Sequence, residues 1–275
     1  KGRYTEAKNL LTDTKNTSEN SLFYLNRGLM LRKLDIDPKN DFEKAYELDN
    51  KNWRVSKTLS DYHFNSMEYS LSNNILRKAY NNDKSNYIIG MGYVETLVKL
   101  EKFSSAISVL DNINILPYEH AGEGRKLYTS AYFGLAIKKI ISGDYLEAIE
   151  TINKSKLWPE NLGVGKPYNP DERIQDYLIF YCKEKLNNLS SKKHLQYIID
   201  YSEDNINEMS INHVLGFQAI KIIRGKEESE SFINKLNSKH KYESDEMNFI
   251  NNFKRNSLLN SRKEFDLLRK ILLLK

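Results

Sequence analysis

Two stretches of the chain, Tyr69-Ser-Leu-Ser-Asn-Asn-Ile-Leu76 and Phe103-Ser-Ser-Ala-Ile-Ser-Val-Leu110, follow the same pattern. Each has an aromatic residue, a small residue three positions later, and an aliphatic residue four positions after that. This spacing places all three on one side of a helix. A small residue in the middle lets two helix backbones approach closely, whereas a large side chain would push them apart. The pattern therefore predicts helices that pack in pairs.

The pattern recurs along the chain at a fixed interval. Further copies are Tyr4–Ala7–Leu11, Tyr145–Ala148–Ile152 and a weaker one ending in Phe42 and Ala45. From Phe42 to Leu76 and from Leu76 to Leu110 is 34 residues each time, while the step from Leu110 to Ile152 lengthens to 42. A period of about 34 residues is typical of tetratricopeptide repeats. The chain thus resembles that family, which implies an all-α superhelix, a tetratricopeptide-like solenoid of antiparallel helix pairs.

The apolar periodicity predicts helices along the whole chain and no strand. The predicted helices cover residues 3–13, 19–34, 38–48, 52–65, 68–81, 86–100, 103–113, 122–141, 145–156, 171–187, 190–201, 208–223, 226–238, 243–255 and 261–273. We interpret 1–275 as one helical-repeat domain, with regular repeats over 1–157, an inserted loop over 158–170, and degenerate or capping repeats over 171–275. Because the chain opens inside a helical pattern, we expect it to be a fragment of a longer protein.

Three local signals predict where helices begin and end. Gly143 is expected to end a helix in the left-handed conformation. Asp37 followed by Pro38 is typical of an N-cap with proline at the first helical position. The stretch Asn169-Pro170-Asp171-Glu172 has the same form, so we expect another helix to begin there.

The composition argues against several classes of function. The formal charge is +5, and basic and acidic residues alternate along most of the chain, which favours solvated helix faces over a nucleic-acid surface. No apolar run approaches the roughly 18 residues needed to span a membrane. The five histidines are scattered and the single cysteine, Cys182, lies in an apolar run, so we predict a core thiol, no metal site and no cofactor.

Two loops interrupt the repeats, at 116–125 and 158–173, and together they hold four of the five prolines. Because each follows the second helix of consecutive repeats, we expect them to be neighbours in space. Their side chains suit a hydroxyl-rich or peptide ligand. The candidate site residues are Glu119, His120, Arg125, Trp158, Glu160, Asn161, Lys166, Tyr168, Asp171 and Arg173. The alternative is structural: Trp158 fills a gap, and ion pairs of Glu160 and Asp171 with Lys166 and Arg173 hold the loop.

A second candidate surface is the groove that the first helices of tetratricopeptide pairs line. The repeat spacing assigns to this groove Phe23, Arg27, Arg54, Lys57, Asp61, Met91 and Glu95. Such a mixed apolar and charged lining suits a peptide or a neighbouring domain. Lys57 is followed four residues later by Asp61, whose carboxylate would repel a terminal carboxylate, so that ligand is not expected.

The two loops also carry a more specific resemblance. The segments Leu116-Pro-Tyr-Glu-His-Ala121 and Trp158-Pro-Glu-Asn-Leu-Gly-Val-Gly-Lys-Pro-Tyr168 resemble the repeat region of a bacterial family. Proteins of that family carry an N-terminal domain of unknown function that resembles carbohydrate-enzyme β-sandwiches. The resemblance implies that this chain is a C-terminal repeat portion, that its partner is the neighbouring domain of the same polypeptide, and that it has a link to carbohydrates.

These observations predict a non-catalytic scaffold for protein–protein or interdomain contacts, with no catalytic residue, no nucleic-acid partner and no membrane partner. The alternative is that loops 116–125 and 158–173 form part of a glycan-binding or glycoside-processing site of a larger enzyme. A carboxylate pair for such chemistry would be Glu119 with Glu123, or Glu160 with Asp171.

Overall fold

The computed structural model describes residues 4–13, 17–117, 122–240, 248–251 and 270–274. The main helices, numbered in chain order, are α1 (Tyr4–Thr12), α2 (Ser21–Lys33), α3 (Lys39–Leu48), α4 (Trp53–Asn65), α5 (Tyr69–Asn82), α6 (Tyr87–Lys99), α7 (Phe103–Leu110), α8 (Glu123–Ser142), α9 (Tyr145–Ser155), α10 (Arg173–Lys185), α11 (Lys192–Asp204), α12 (His213–Ile223) and α13 (Lys226–Lys239). One 3-10 turn, Glu160–Leu162, lies between α9 and α10.

The predicted fold class is confirmed: the described residues form an all-α, tetratricopeptide-like series of helix pairs, and no strand lies among them. Each helix packs against its neighbours in sequence, as in α4 with α5 and α10 with α11. Short connections make such neighbours antiparallel. The helices predicted over 243–255 and 261–273 fall mostly outside the described residues.

The structure divides into two compact units, and the first comprises Lys1–Ala131 with Trp158–Val164. Its core contains Tyr24, Leu25, Phe42, Val55 and Leu59. The small residues of the repeat pattern are buried here as predicted, since Ala45 and Ala106 are both 0% exposed. In this unit the first helices of successive pairs also touch each other, α2 with α4 and α4 with α6.

The second unit comprises Tyr132–Leu157 with Gly165–Lys275. One of its cores includes Ala148, Ile152 and Cys182, and the other is built from α11, α12 and α13. Cys182 is fully buried, and burial raises the pKa of its thiol to about 12. The thiol therefore stays protonated and behaves as a small core side chain, as the sequence indicated.

The helix ends confirm one of the three local signals and correct the other two. Gly143 has φ +85°, the left-handed conformation expected after α8. Helix α3 begins at Lys39 with Pro38 at the N-cap, so the N-cap predicted at Asp37 is wrong by one residue, although Asp37 Oδ1 accepts a hydrogen bond of 3.1 Å from the Lys39 backbone N–H. Helix α10 begins at Arg173 with Glu172 at the N-cap, so the N-cap predicted at Asn169 is wrong; Asp171 Oδ1 accepts the Arg173 backbone N–H at 3.1 Å just before the helix.

Within the described ranges, each helix is too short or too polar to cross a lipid bilayer.

Candidate interaction sites

The 3-10 turn of the second predicted loop is bonded to the segment that leads into the first loop, within the first unit. Asn161 Nδ2 donates hydrogen bonds to the carbonyl oxygens of Leu110 (2.9 Å) and Ile113 (2.8 Å). In return, the backbone N–H of Ile115 donates to the Asn161 carbonyl oxygen at 2.8 Å. Asn161 is therefore occupied by backbone groups. The loops themselves are neighbours in their described parts, as expected, because a Cβ atom at Gly124 would lie 3.4 Å from the Leu162 carbonyl oxygen.

The chain passes close to itself just after this turn. Leu162 is buried, and Gly163 follows in the left-handed conformation with φ +70°. A Cβ atom at Gly163 would lie 2.7 Å from the carbonyl oxygen of Ile115, a backbone atom that cannot rotate away. Glycine is therefore required at position 163 both by its backbone conformation and by the space available.

Two more of the predicted ligand residues contact each other. The Arg125 guanidinium lies over the Trp158 ring, 4.5 Å from its centroid, and also over the Tyr128 ring at 5.2 Å. Arg125 Nη1 donates to Thr129 Oγ1 at 2.6 Å. The Trp158 indole N–H is buried and has no hydrogen-bond partner among the described residues. This arrangement matches the structural alternative, in which Trp158 fills a gap.

Two candidates of the first loop, Glu119 and His120, lie outside the described residues. Glu160 of the second loop, in the 3-10 turn, is exposed.

The second unit contains a buried polar cluster around Arg173, which is 2% exposed. Its guanidinium makes two hydrogen bonds to the Asp171 carboxylate, from Nε to Oδ1 at 2.9 Å and from Nη2 to Oδ2 at 2.7 Å. Nη1 donates to His213 Nδ1 at 3.0 Å and to Ser202 Oγ at 3.1 Å. Asn212 Nδ2 adds a 2.9 Å bond to Asp171. The ion pair predicted between Asp171 and Arg173 is thus present.

This cluster fixes the protonation of its members. Burial works to raise the pKa of Asp171, but the hydrogen bonds and charge of Arg173 outweigh it, so that the pKa is lowered. Burial, and next the charge of Arg173, lower the pKa of His213 to about 4. Because His213 Nε2 lies 2.8 Å from the Glu208 carbonyl oxygen, the neutral ring donates there and accepts from Arg173 at Nδ1.

A second charged cluster lies on the same side of α10. Lys156 Nζ lies 3.0 Å from Glu172 and 2.9 Å from Asp176. His194 Nδ1 lies 3.0 Å from the same Asp176 oxygen. Burial works to lower the pKa of Lys156, but Asp176 and Glu172 outweigh it and the pKa is raised. Of the remaining loop candidates, Lys166 lies 4.0 Å from Glu172, and Tyr168 is fully exposed.

A cavity of about 350 Å³ opens beside these two clusters, entirely within the second unit. Its lining joins the end of the loop to the start of α10 and to one side of α11. The lining residues are Lys166, Asn169, Pro170, Glu172, Arg173, Asp176, Tyr197, Asp200, Tyr201 and Asp204. The four α11 residues were not predicted from the sequence. Their spacing, with Tyr197, Tyr201 and Asp204 at i, i+4 and i+7, is the signal that could have identified them.

The predicted groove residues of the first unit form what we call the first-helix face, defined by Arg54, Lys57 and Asp61 on α4 and by Met91 and Glu95 on α6. The i, i+3, i+7 spacing of the α4 residues places them in one stripe. Lys57 Nζ is 2.6 Å from Asp61 Oδ1. A Cβ atom at Gly92 would lie 3.3 Å from the Lys57 side chain, so α4 and α6 meet along this stripe.

Electrostatics connect Glu95 to the same stripe. Partial burial between the helices raises the pKa of Glu95, opposed by the charge of Lys57, although the side chain remains accessible to solvent.

Arg27 and Arg54 differ in how free they are to bind a partner. Arg27 makes a buried ion pair with Asp41, with Nη2 2.6 Å from Oδ1, and its guanidinium also lies 5.2 Å from the Phe23 ring centroid. The Arg54 guanidinium stacks on the Trp53 ring at 4.6 Å but is otherwise exposed. Arg27 therefore supports the first-helix face through its buried ion pair, whereas the Arg54 side chain lies on the surface of that face.

Comparisons with known proteins give likenesses to several solved structures. No family model matches the chain, and no curated protein matches its sequence. Among solved structures, it is similar to YrrB, described as a TPR protein with an unusual peptide-binding site, with 19% identity and a TM-score of 0.46 over 78% of this chain and 97% of that one. It is also similar to Pseudomonas aeruginosa PilF, with 18% identity and a TM-score of 0.43 over 92% of this chain and 99% of that one.

The described residues contain no group of three or more His, Cys, Asp or Glu side chains that could hold a metal ion.

Proposed function

We propose that this chain is a non-catalytic, tetratricopeptide-like scaffold that binds another protein, or a neighbouring domain of its own polypeptide, on the first-helix face. The observation that carries the proposal is the contact of α2 with α4 and of α4 with α6, which joins the first helices of three pairs into one continuous surface. Helices in this arrangement leave one side of each free for a partner.

The chemistry of the face supports a protein partner. Arg54 and Glu95 offer exposed charges of opposite sign, and Met91, four residues before Glu95 on α6, adds a half-buried, flexible apolar side chain. Lys57 and Asp61 largely neutralise each other. A surface that mixes apolar and charged side chains is typical of protein interfaces.

The side chains with reactive groups support a non-catalytic role, because they occupy structural positions. The Cys182 thiol is buried in the core and protonated. His213 is neutral and bonded at both ring nitrogens. His194 holds Asp176, which is itself paired with Lys156.

Matched charge reversals on the full chain test this proposal. Arg54→Glu and Glu95→Lys change the first-helix face, while Arg77→Glu on α5 and Glu47→Lys on α3 make the same changes on second helices. A partner captured from the source cell by the unmodified chain should be lost, about tenfold or more, with the first pair of variants and retained with the second. Equal retention, or equal loss, by both pairs would contradict the proposal.

The link to carbohydrates stays a prediction from the resemblance, as does a glycan site at loops 116–125 and 158–173. Three of its ten candidate residues, Arg125, Trp158 and Asn161, contact each other or the backbone within the first unit. Isothermal titration of the full chain with neutral oligosaccharides tests it, with binding expected to be lost in Trp158→Ala if this prediction is correct.

A further inference from the structure

The cavity beside α11 has the size of a pocket for one extended side chain. Its volume of about 350 Å³ lies at the lower end of the range for ligand pockets, roughly 300–1,000 Å³. Its walls belong to a fixed frame, since Asp171, Arg173 and Asn212 are bonded to one another on one side. Lys156, Glu172 and Asp176 form the second support.

The lining carries an excess of negative charge. It contains four carboxylates and two cations. Both cations already have a carboxylate partner, since Arg173 pairs with Asp171 and Lys166 lies near Glu172. Lys156, which does not line the cavity, pairs with Glu172 and Asp176. Asp200 and Asp204 have no cation within 4.0 Å among the described residues; Asp200 accepts only a hydrogen bond, from Gln196 Nε2 at 2.6 Å.

The position of these two carboxylates on α11 is itself unfavourable. Both lie in the last five residues of the helix, whose last turn contains no basic side chain. The helix dipole places partial negative charge at this end, so carboxylates are destabilised there and cations are favoured. Arg224 pairs with the neighbouring Glu203 at 2.6 Å and its charge also reaches Asp200, but within the described part of the chain neither Asp200 nor Asp204 has a cation at ion-pair distance. A cation supplied from outside would relieve this repulsion.

One aromatic ring of the pocket is open to such a cation. Tyr197 is 54% exposed and packs edge-on against His194, with ring centroids 6.0 Å apart. Tyr201 is different, because the Arg173 guanidinium already lies over its ring at 4.9 Å. The contact of Arg173 with Tyr201 therefore shows the geometry that we expect for a ligand guanidinium over the Tyr197 ring.

We propose that this pocket binds the basic side chain of a partner protein, with arginine preferred over lysine. The guanidinium would lie over Tyr197 and pair with Asp200 and Asp204. A planar guanidinium can stack and form directed hydrogen bonds at the same time, which a lysine ammonium cannot. The proposal deepens the proposed scaffold function by naming a second contact site and the chemistry of what it takes.

The probe is an acetylated, amidated tripeptide, Gly-Arg-Gly, compared with the same peptide carrying citrulline, which keeps the shape and removes the charge. In NMR titrations of the full chain at low salt, we expect the arginine peptide to bind with a dissociation constant in the millimolar range, about fivefold or more tighter than the citrulline peptide, and more weakly as salt rises. Equal binding of the two peptides, or no binding up to about 10 mM, would overturn the proposal.

Variants locate the binding. The double change Asp200→Asn with Asp204→Asn should weaken the arginine peptide about fivefold or more, and Tyr197→Ala should weaken it severalfold. The charge-matched control, Glu150→Gln with Glu227→Gln, alters exposed acids on α9 and α13 and should leave binding unchanged. Equal effects of the two double variants would refute the pocket as the site, and circular dichroism checks that each variant is folded.

Two further titrations distinguish the proposed ligand from other ligands. Tighter binding of free spermidine than of the peptide would overturn the proposal in favour of a small organic cation. Binding of a neutral disaccharide such as maltose, instead of the peptide, would overturn it in favour of a glycan. The variants Arg54→Glu and Glu95→Lys on the first-helix face should keep full peptide binding. The experiments can therefore refute peptide binding at the pocket while they support partner capture by the first-helix face. They can equally refute partner capture while they support peptide binding.

Discussion

The connection between α9 and α10 is divided into two parts with different chemistry. Its first part, Trp158–Val164, belongs to the first unit and is held by an amide that bonds backbone carbonyls, a buried leucine, a glycine in close contact and the stacking of Arg125 on Trp158. Its second part, 165–172, belongs to the second unit and leads into buried charges around Arg173. The first part closes upon itself, whereas the second borders an open cavity.

The difference separates a part of the loop that stabilises the fold from a part that borders the proposed binding pocket. In the first part, the Asn161 amide bonds backbone carbonyls without adding a charge, so these contacts do not attract an ionic ligand. Buried charges must be paired on all sides, so they fix a rigid frame, and unpaired carboxylates at its rim are then available to a cationic partner. Asn161 and Gly163 therefore have a structural role, whereas the rim formed by Asp200 and Asp204 is the proposed binding site.

The largest expected effect is the loss of Arg173. Arg173→Ala leaves the Asp171 carboxylate without its cation and the acceptors on His213 and Ser202 without the Arg173 donor, which should cost about 3–5 kcal/mol of unfolding free energy. The control is Arg224→Ala, which removes an exposed pair with Glu203 and should cost about 1 kcal/mol or less. Urea denaturation monitored by circular dichroism measures the unfolding free energy of both variants. Similar losses in the two variants would contradict the claim that the buried pair stabilises the fold more than the exposed pair.

The next effect concerns the close approach in the first part of the loop. Gly163→Ala combines a left-handed backbone with a Cβ atom 2.7 Å from a carbonyl oxygen, so a cost of about 3 kcal/mol is expected. Gly143→Ala has φ +85° but nothing within 4 Å of the added Cβ atom, and should cost only about 1 kcal/mol. Thermal unfolding of the two variants separates the conformational cost from the steric one, and equal shifts would show that the contact with Ile115 does not matter.

A pH dependence tests the charged frame of the second part. Because the folded-state pKa of His213 is lowered to about 4, the folded protein binds fewer protons than the unfolded chain between pH 4 and about 6.5. Stability from this group is therefore fully present above pH 6.5 and is lost as the pH falls toward 4, by roughly 2–3 kcal/mol. His213→Gln keeps a donor and an acceptor but does not titrate, so its stability should fall less over this range. Parallel profiles of unfolding free energy against pH for the two proteins would contradict this assignment.

The smallest effect belongs to the amide of the first part. Asn161→Ala removes two hydrogen bonds and leaves the carbonyl oxygens of Leu110 and Ile113 unpaired, for an expected cost of about 2 kcal/mol. Asn74→Ala on the exposed side of α5 is the control and should change stability by less than about 0.5 kcal/mol. Hydrogen exchange should also show faster exchange at Ile115 in the first variant alone, and unchanged exchange would mean that Asn161 does not hold the two loops together.

Much of the fold could be predicted from the sequence, because the repeat pattern is local. An aromatic residue such as Phe103 and a small residue such as Ala106 reveal a helix pair through spacing alone. Repeat equivalence further indicated that the two loops are neighbours. The N-cap of α10 lies at Glu172 and not at Asn169, because Asp171 accepts the backbone N–H of Arg173, and that hydrogen bond is visible only in the folded chain.

The sites were less predictable, for two physical reasons. Hydrogen bonds from a side chain to backbone groups that are distant in sequence, such as those of Asn161, cannot be recognised from a periodic sequence pattern. The pocket residues of α11, such as Tyr197 and Asp200, lie in the degenerate part of the chain, where no motif drew attention to them. Their significance depends on which charges nearby are already paired, and that is a property of the folded protein.

The most direct measurement for the scaffold function is site-specific photo-crosslinking of the full chain in the source cell. The crosslinker p-benzoylphenylalanine would replace Met91 on the first-helix face in one protein and the exposed Leu71 on α5 in another. We predict a covalent product with one protein or neighbouring domain from position 91 and none with the same partner from position 71. Crosslinking of that partner from position 71 alone, with none from position 91, would contradict it.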